Sequence, residues 1–243
     1  MKIKDWDGIQ TNVVINAPME EVMEKIQVQP TMIVTSPPYG VGSIPQKRGT
    51  ADKQQKTIDM QYDSVEDSFS DTQYEQWLEM CVTLAPLVFW NVPVKQHRPF
   101  GVTQMGRAEP LSPFGQVIWT KAMGTIPFAS KGVIYAHEYV WILGDQKKLV
   151  KAPYSVWNLP AQRYSKHPAP FPPQLAAKAI HHGSRPGDLI FDPFGGSGTT
   201  AATAKAMGRQ YITCDVSPEY CGWIEERISK TKVSKQFEGE LGG

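Results

Sequence analysis

Short apolar runs rich in β-branched and aromatic residues alternate along the chain with longer segments whose apolar positions recur every three to four residues. The runs fall at 12–15, 32–35, 87–92, 116–119, 139–143, 189–191 and 211–213. Each is too short for a helix and apolar enough for a strand buried on both faces, so seven strands are predicted. Helical periodicity covers 19–26, 72–84 behind a cap at Asp71, 172–181, 199–207 and 218–229. Strands alternating with helices predict an α/β fold, a mostly parallel Rossmann-like sheet with helices on both faces. The stretch 40–70 breaks the alternation: it is polar, lacks periodicity and is rich in Gly, Lys, Gln and Asp. So long a loop in a compact chain is usually functional or mobile.

Composition supports one core and one domain over 1–243: 41% of the residues are hydrophobic and 20% charged. The formal net charge of +1 excludes a uniformly basic nucleic-acid coat, so any affinity for nucleic acid is local. Charge is in fact segregated. Residues 1–94 carry 7 basic and 13 acidic side chains, 95–166 carry 10 and 3, and 167–243 carry 8 of each. Cys81, Cys214 and Cys221 form no C-x-x-C and no zinc-like spacing with histidine, which suits reduced thiols and predicts no metal. No apolar leader opens the sequence and no run approaches the ~18 residues of a membrane span. A cytoplasmic location without membrane partners is expected.

The sharpest local feature is Leu189-Ile-Phe-Asp-Pro-Phe-Gly-Gly-Ser-Gly-Thr-Thr-Ala-Ala202, a strand, a glycine turn and a helix start. Small residues let backbone amides approach a ligand, and the helix N-terminus favours a carboxylate or phosphate. The next strand ends at Asp215, 17 residues past Gly198, where a carboxylate can accept from two ribose hydroxyls. A nucleoside-containing cofactor is implied. Gly196-x-Gly198-x-x-Ala201 also satisfies a loose dinucleotide fingerprint, which keeps a nicotinamide-dependent oxidoreductase as the rival. Only 28 residues follow Asp215, so the remaining strands lie upstream and the order is permuted relative to the usual dinucleotide domain.

The second feature is Met32-Ile-Val-Thr-Ser-Pro-Pro-Tyr-Gly40, a strand running into two prolines and an aromatic. The prolines stiffen the turn and leave its carbonyls without local donors. A hydroxyl beside such a carbonyl can hold both hydrogens of an exocyclic amine, with the Tyr39 ring as a stacking platform. Accepting those hydrogens pushes the amine towards a tetrahedral, available lone pair. Read alone, the turn is equally a strand-ending proline corner with an exposed tyrosine.

With these motifs in this order, the chain resembles the S-adenosylmethionine-dependent amino-methyltransferases of DNA, in the β-class group where Ser/Asp-Pro-Pro-Tyr precedes the glycine motif. The resemblance spans roughly residues 12–228 and implies a circularly permuted, seven-stranded methyltransferase sheet. It places Ser36, Pro37, Pro38 and Tyr39 at the target amine. S-adenosyl-L-methionine would be held by Thr35, Asp192, Phe194, Gly195, Gly196, Ser197, Gly198, Thr199 and Thr200, by Asp215 at the ribose, and by His167 and Phe171 closing the pocket. One departure concerns adenine recognition: the family commonly has Gly-Asp after the first strand, and this chain has Asn16-Ala17-Pro18. His181, His182, Cys81 and Cys221 read as structural.

In that family Ser-Pro-Pro-Tyr more often accompanies cytosine N4 and Asp-Pro-Pro-Tyr adenine N6, so Ser36 favours cytosine, with adenine second. No Pro-Cys dipeptide is present for the C5 chemistry. The target nucleotide must rotate out of the duplex, or the substrate be single-stranded. DNA phosphates would meet the basic middle of the chain and the polar loop, at Lys47, Arg48, Lys53, Lys121, Lys147, Lys148 and Arg163. The short region 144–166 stands where larger family members insert a target-recognition segment; specificity is then short, supplied by 40–70, or shared across a homodimer. Other readings left open are a DNA-binding module without catalysis and methylation of structured RNA.

Overall fold

The computed structural model describes residues 1–38, 71–93, 111–121, 136–160, 162 and 171–234. Its strands are β1 (Val13–Asn16), β2 (Met32–Thr35), β3 (Leu87–Pro93), β4 (Gly115–Thr120), β5 (His137–Gly144), β6 (Val156–Asn158), β7 (Leu189–Asp192) and β8 (Gln210–Asp215). Its helices are α1 (Met19–Lys25), α2 (Asp71–Leu84), α3 (Pro173–Gly183), α4 (Thr199–Ala206) and α5 (Pro218–Lys230). All strands join one sheet in the order β1-β8-β7-β2-β3-β5-β4-β6. Neighbours are parallel except around β5, which runs against both β3 and β4.

The sheet has eight strands, not the predicted seven. The extra one, β6, pairs Ile118 with Val156 and Thr120 with Asn158. It escapes a periodicity search because only its middle residue, Trp157, is buried. Trp157 is held from two sides: its ring stacks on His182 at 5.9 Å, and β4 beside it contributes Trp119, whose Nε1 donates to Leu159 O at 3.0 Å.

Strand alternation sorts the core into two layers. Val34, Phe89, Val140 and Ile190 pack with α3, α4 and α5. Ile33, Trp90, Trp141 and Phe191 pack on the other face with α1 and α2. Helix starts follow local chemistry. Pro173 and Pro218 occupy first turns, and Ser217 Oγ accepts from Tyr220 N at 3.3 Å. Asp71, predicted as a cap, is the first residue of α2.

Topology decides where a ligand sits. From β7 the chain passes through α4 to β8 on one side; from β2 it returns through α2 to β3 on the other. β2 and β7 are therefore adjacent parallel strands whose connections leave in opposite directions, and in open α/β sheets ligands bind at the C-terminal ends of such a pair. Both sequence motifs emerge there.

Candidate active site

The two motifs are joined by side chains as well as by the sheet. Thr35 Oγ1 donates to Asp192 Oδ1 at 2.7 Å, and Phe194 N donates to the same oxygen at 3.2 Å. Thr200 Oγ1, in the first turn of α4, donates to Val34 O at 3.2 Å. The Ser-Pro-Pro corner and the glycine turn are thus fixed relative to each other. Asp192 is fully enclosed, and burial pushes its carboxyl up to about 6 despite the donors around it. Its position makes it the tie between the motifs.

The glycine turn has a separate reason for each glycine. Gly196 and Gly198 take left-handed backbone, with φ of 49° and 73°. A Cβ on Gly195 would lie 2.6 Å from Thr213 Oγ1 and 2.7 Å from Ile224 Cδ1, so the turn packs directly on β8 and α5. Asp215 grips it from the next strand: Gly196 N donates to Oδ2 at 2.8 Å and Ser217 N to Oδ1 at 2.9 Å. Burial raises the Asp215 carboxyl, and these two amides hold it partly back. Each oxygen retains a second lone pair, which suits a pair of ribose hydroxyls.

Around the turn, Phe171 is buried and its carbonyl accepts from Thr199 Oγ1 at 3.4 Å. Phe194 lies edge-on to Trp77 at 5.1 Å and to Trp90 at 6.1 Å, an aromatic wall supplied by α2 and β3. Ser197 and Thr199 are held by Arg227, which the sequence reading did not single out. Its Nη1 donates to Ser197 O at 3.0 Å and to Thr199 Oγ1 at 2.9 Å. The only sequence signal is its spacing from the buried Ile224 and Ile228 along α5. Where the resembled family has Gly-Asp, Asn16 Nδ2 donates to the carbonyls of Asp215 and Val216, at 3.1 and 3.0 Å. Asn16 therefore closes the seam between β1 and β8 beside Asp215.

At the other motif, Ser36 and Pro38 are half-buried and Pro37 is buried. Ser36 Oγ lies 3.4 Å from Asn91 Nδ2, and Asn91 Nδ2 also donates to Glu138 Oε2 at 2.9 Å. Lys121, expected at DNA phosphates, is ion-paired with Glu138 at this same edge. Lys147 and Lys148 are not brought to the site. They follow β5, whose antiparallel course carries the chain to the opposite edge, where Asp145 N donates to Pro86 O just before β3. Tyr39, Lys47, Arg48, Lys53, Arg163 and His167 lie outside the described residues, as does all of 40–70.

The residues read as structural have structural surroundings. His182 Nδ1 lies 2.9 Å from Lys151 O, and burial lowers its pKa to about 4, so the ring is neutral. Cys81, Cys214 and Cys221 are buried free thiols, and burial raises the pKa of each. Among the described residues no group of His, Cys, Asp or Glu could hold a metal ion, and no helix is long and apolar enough to cross a membrane.

A mostly parallel sheet with a glycine turn over a carboxylate strand end is the arrangement of proteins that bind a nucleoside-containing cofactor. The proline corner at the neighbouring strand narrows the class further. Residues 31–226 match the profile of the DNA methylase family N6_N4_Mtase, and the chain belongs to that family. This sets aside the oxidoreductase reading. The orphan methyltransferase M.BamHII of Bacillus amyloliquefaciens is 38% identical over 96 residues, 36% of each chain. The DNA adenine methyltransferase YhdJ of Escherichia coli K12 is 36% identical over 95 residues, 37% of this chain and 31% of that one. The matches thus span about a third of the length of these relatives. The solved structure of PvuII DNA methyltransferase (cytosine-N4-specific) superposes with a TM-score of 0.62 at 17% identity, covering 96% of this chain and 91% of that one. At that identity the likeness is one of fold.

Proposed function

We propose that the chain transfers a methyl group from S-adenosyl-L-methionine directly to the exocyclic amine of a base in DNA. The observation that carries this reading is the 2.7 Å bond from Thr35 to Asp192, which holds the Ser36 corner and the glycine turn at one sheet edge. S-adenosyl-L-methionine supplies, when bound, a methyl group already activated on a sulfonium, so the protein's task is alignment.

The residues present fit that cofactor. Asp215 can accept from ribose hydroxyls with the lone pairs that Gly196 and Ser217 leave over. The first-turn amides of α4 have no partners within the helix and favour the carboxylate of the methionyl part. Arg227 keeps Ser197 and Thr199 in place beneath them. Ser36 Oγ and the Pro37 carbonyl would accept the two hydrogens of the target amine and stabilise its pyramidal form as the new bond grows. The base reaches this edge by leaving the duplex stack.

Ser36 favours cytosine N4 as the target. Adenine N6 is the second reading, supported by the named specificity of the YhdJ relative. The deciding experiment incubates purified protein with tritiated cofactor and mixed-sequence duplex DNA, then digests the DNA to nucleosides. Label in N4-methylcytosine is the expected result, and label in N6-methyladenine would reverse the choice of base. No label in either base would overturn the proposal.

A further inference from the structure

The polar residues beside Ser36 form an ordered row. Val34, Phe89, Val140 and Trp119 belong to the core on the α3 to α5 face. Two positions along each strand towards the site edge, with the same alternation, stand Ser36, Asn91, Glu138 and Lys121. They come from or follow β2, β3, β5 and β4, which are consecutive in the sheet. The row is bonded along its length: Lys121 pairs with Glu138 Oε1, Glu138 Oε2 accepts from Asn91 Nδ2 at 2.9 Å, and Asn91 Nδ2 faces Ser36 Oγ at 3.4 Å.

Two of the four are enclosed, with Asn91 at 1% exposure and Glu138 at 8%. A carboxylate and an amide are costly to bury, and here they are placed within one side chain of the catalytic corner. Their chemistry gives the row a direction. A carboxylate only accepts, so Asn91 must present its NH2 group to Glu138, and the same nitrogen then faces Ser36. With a neutral amide at 138, which can donate as well as accept, nothing fixes the Asn91 amide, and it can turn, set its oxygen against Ser36 and draw the serine hydrogen inward.

We propose that Glu138, acting through Asn91, is a positioning residue for the Ser36 hydroxyl. With Asn91 donating from within, Ser36 keeps a lone pair for the target amine and its own hydrogen for the adjacent ring nitrogen, N3 of cytosine or N1 of adenine. Lys121 balances the Glu138 charge from the solvent side. This inference rests on the methyl-transfer reading of Ser36.

The test is single-turnover methyl transfer, with DNA and tritiated cofactor, by Glu138→Gln alone and combined with Ser36→Ala. The single variant slows about tenfold or more, while the cofactor-induced rise in melting temperature and the DNA concentration for half-saturation stay at wild-type values. In the Ser36→Ala background the same change costs less than about twofold, because the group it acts through is gone. Should Glu138→Gln fail to fold, Asn91→Ser, which removes the amide but keeps a small polar group, reads the same coupling. Wild-type rates in the single variant, or equal losses in the two backgrounds, overturn the inference. A wild-type protein that labels no base refutes the parent reading instead.

Discussion

Replacing Asp192 by Asn tests whether this carboxyl ties the two motifs at the expense of stability. The carboxyl is enclosed, and its pKa rises from an ordinary 3.8 to about 6, chiefly through burial. Between these values the folded chain holds a proton that the unfolded chain has released. The contribution of this group to stability therefore grows as pH falls from about 7 towards 3, and folding with the carboxyl charged costs about 3 kcal/mol more than folding with it protonated. Asn cannot ionise, yet its Oδ1 can still accept from Thr35 Oγ1 and Phe194 N. The variant should be the more stable protein at pH 7.5 by up to about 3 kcal/mol, roughly 6–12 °C in melting temperature for a chain of this size. New demands of the Asn NH2 group reduce that figure. The gap should narrow through pH 4 and close below about pH 3, where Asp192 is protonated in both states. Melting curves of both proteins across this range isolate the effect, because the other titrations are shared. A difference independent of pH, or an Asn variant less stable at pH 7.5, would refute the assignment.

Three further substitutions probe the turn and its support. Gly195→Ala puts a methyl group within 2.7 Å of Ile224 Cδ1 and closer still to Thr213 Oγ1, so it should cost about 1–3 kcal/mol in urea melts and abolish cofactor-induced stabilisation. Arg227→Met removes the bonds to Ser197 and Thr199; calorimetry should show cofactor binding weakened about tenfold, and unchanged affinity would deny the support role. Tyr74→Phe deprives the buried Trp90 Nε1 of the hydroxyl it bonds at 2.6 Å, which should cost about 1–3 kcal/mol in stability and leave the single-turnover rate within about twofold of wild type.

Strand and helix positions were legible in the sequence wherever burial was continuous. The run at 87–92 reappears within β3 because alternate residues feed two cores, Phe89 one and Trp90 the other. β6 was not legible, since a strand with one buried residue has no period to detect. The glycine turn and Ser36 could be found because their chemistry is local. Asn91, Glu138 and Arg227 could not, because each acquires its role from a partner at least 28 residues away in sequence. The basic middle segment shows the converse relation. Counting charge along the chain groups Lys121 with Lys147 and Lys148, but β5 lies between them and crosses the sheet, a distance of about 25 Å for eight extended residues. Nearness in sequence became separation in space.

The direction of β5 also explains why the edge that carries Ser36 contains an acid beside Asn91. Parallel strands all deliver their C-terminal residues to one edge, and here those are Asn16, Thr35, Pro93, Thr120, Asn158, Asp192 and Asp215, with Ser36 and Lys121 just beyond. A strand running the other way delivers its N-terminal residues instead, and β5 thereby brings Glu138 between Asn91 and Lys121. Neither neighbour could fill that place. A lysine cannot accept from the Asn91 amide, and an amide cannot neutralise the lysine. Only an acceptor with a full charge satisfies both neighbours, so the reversed strand serves the polar row as well as the sheet, and the row ends at the hydroxyl on which the proposed chemistry depends.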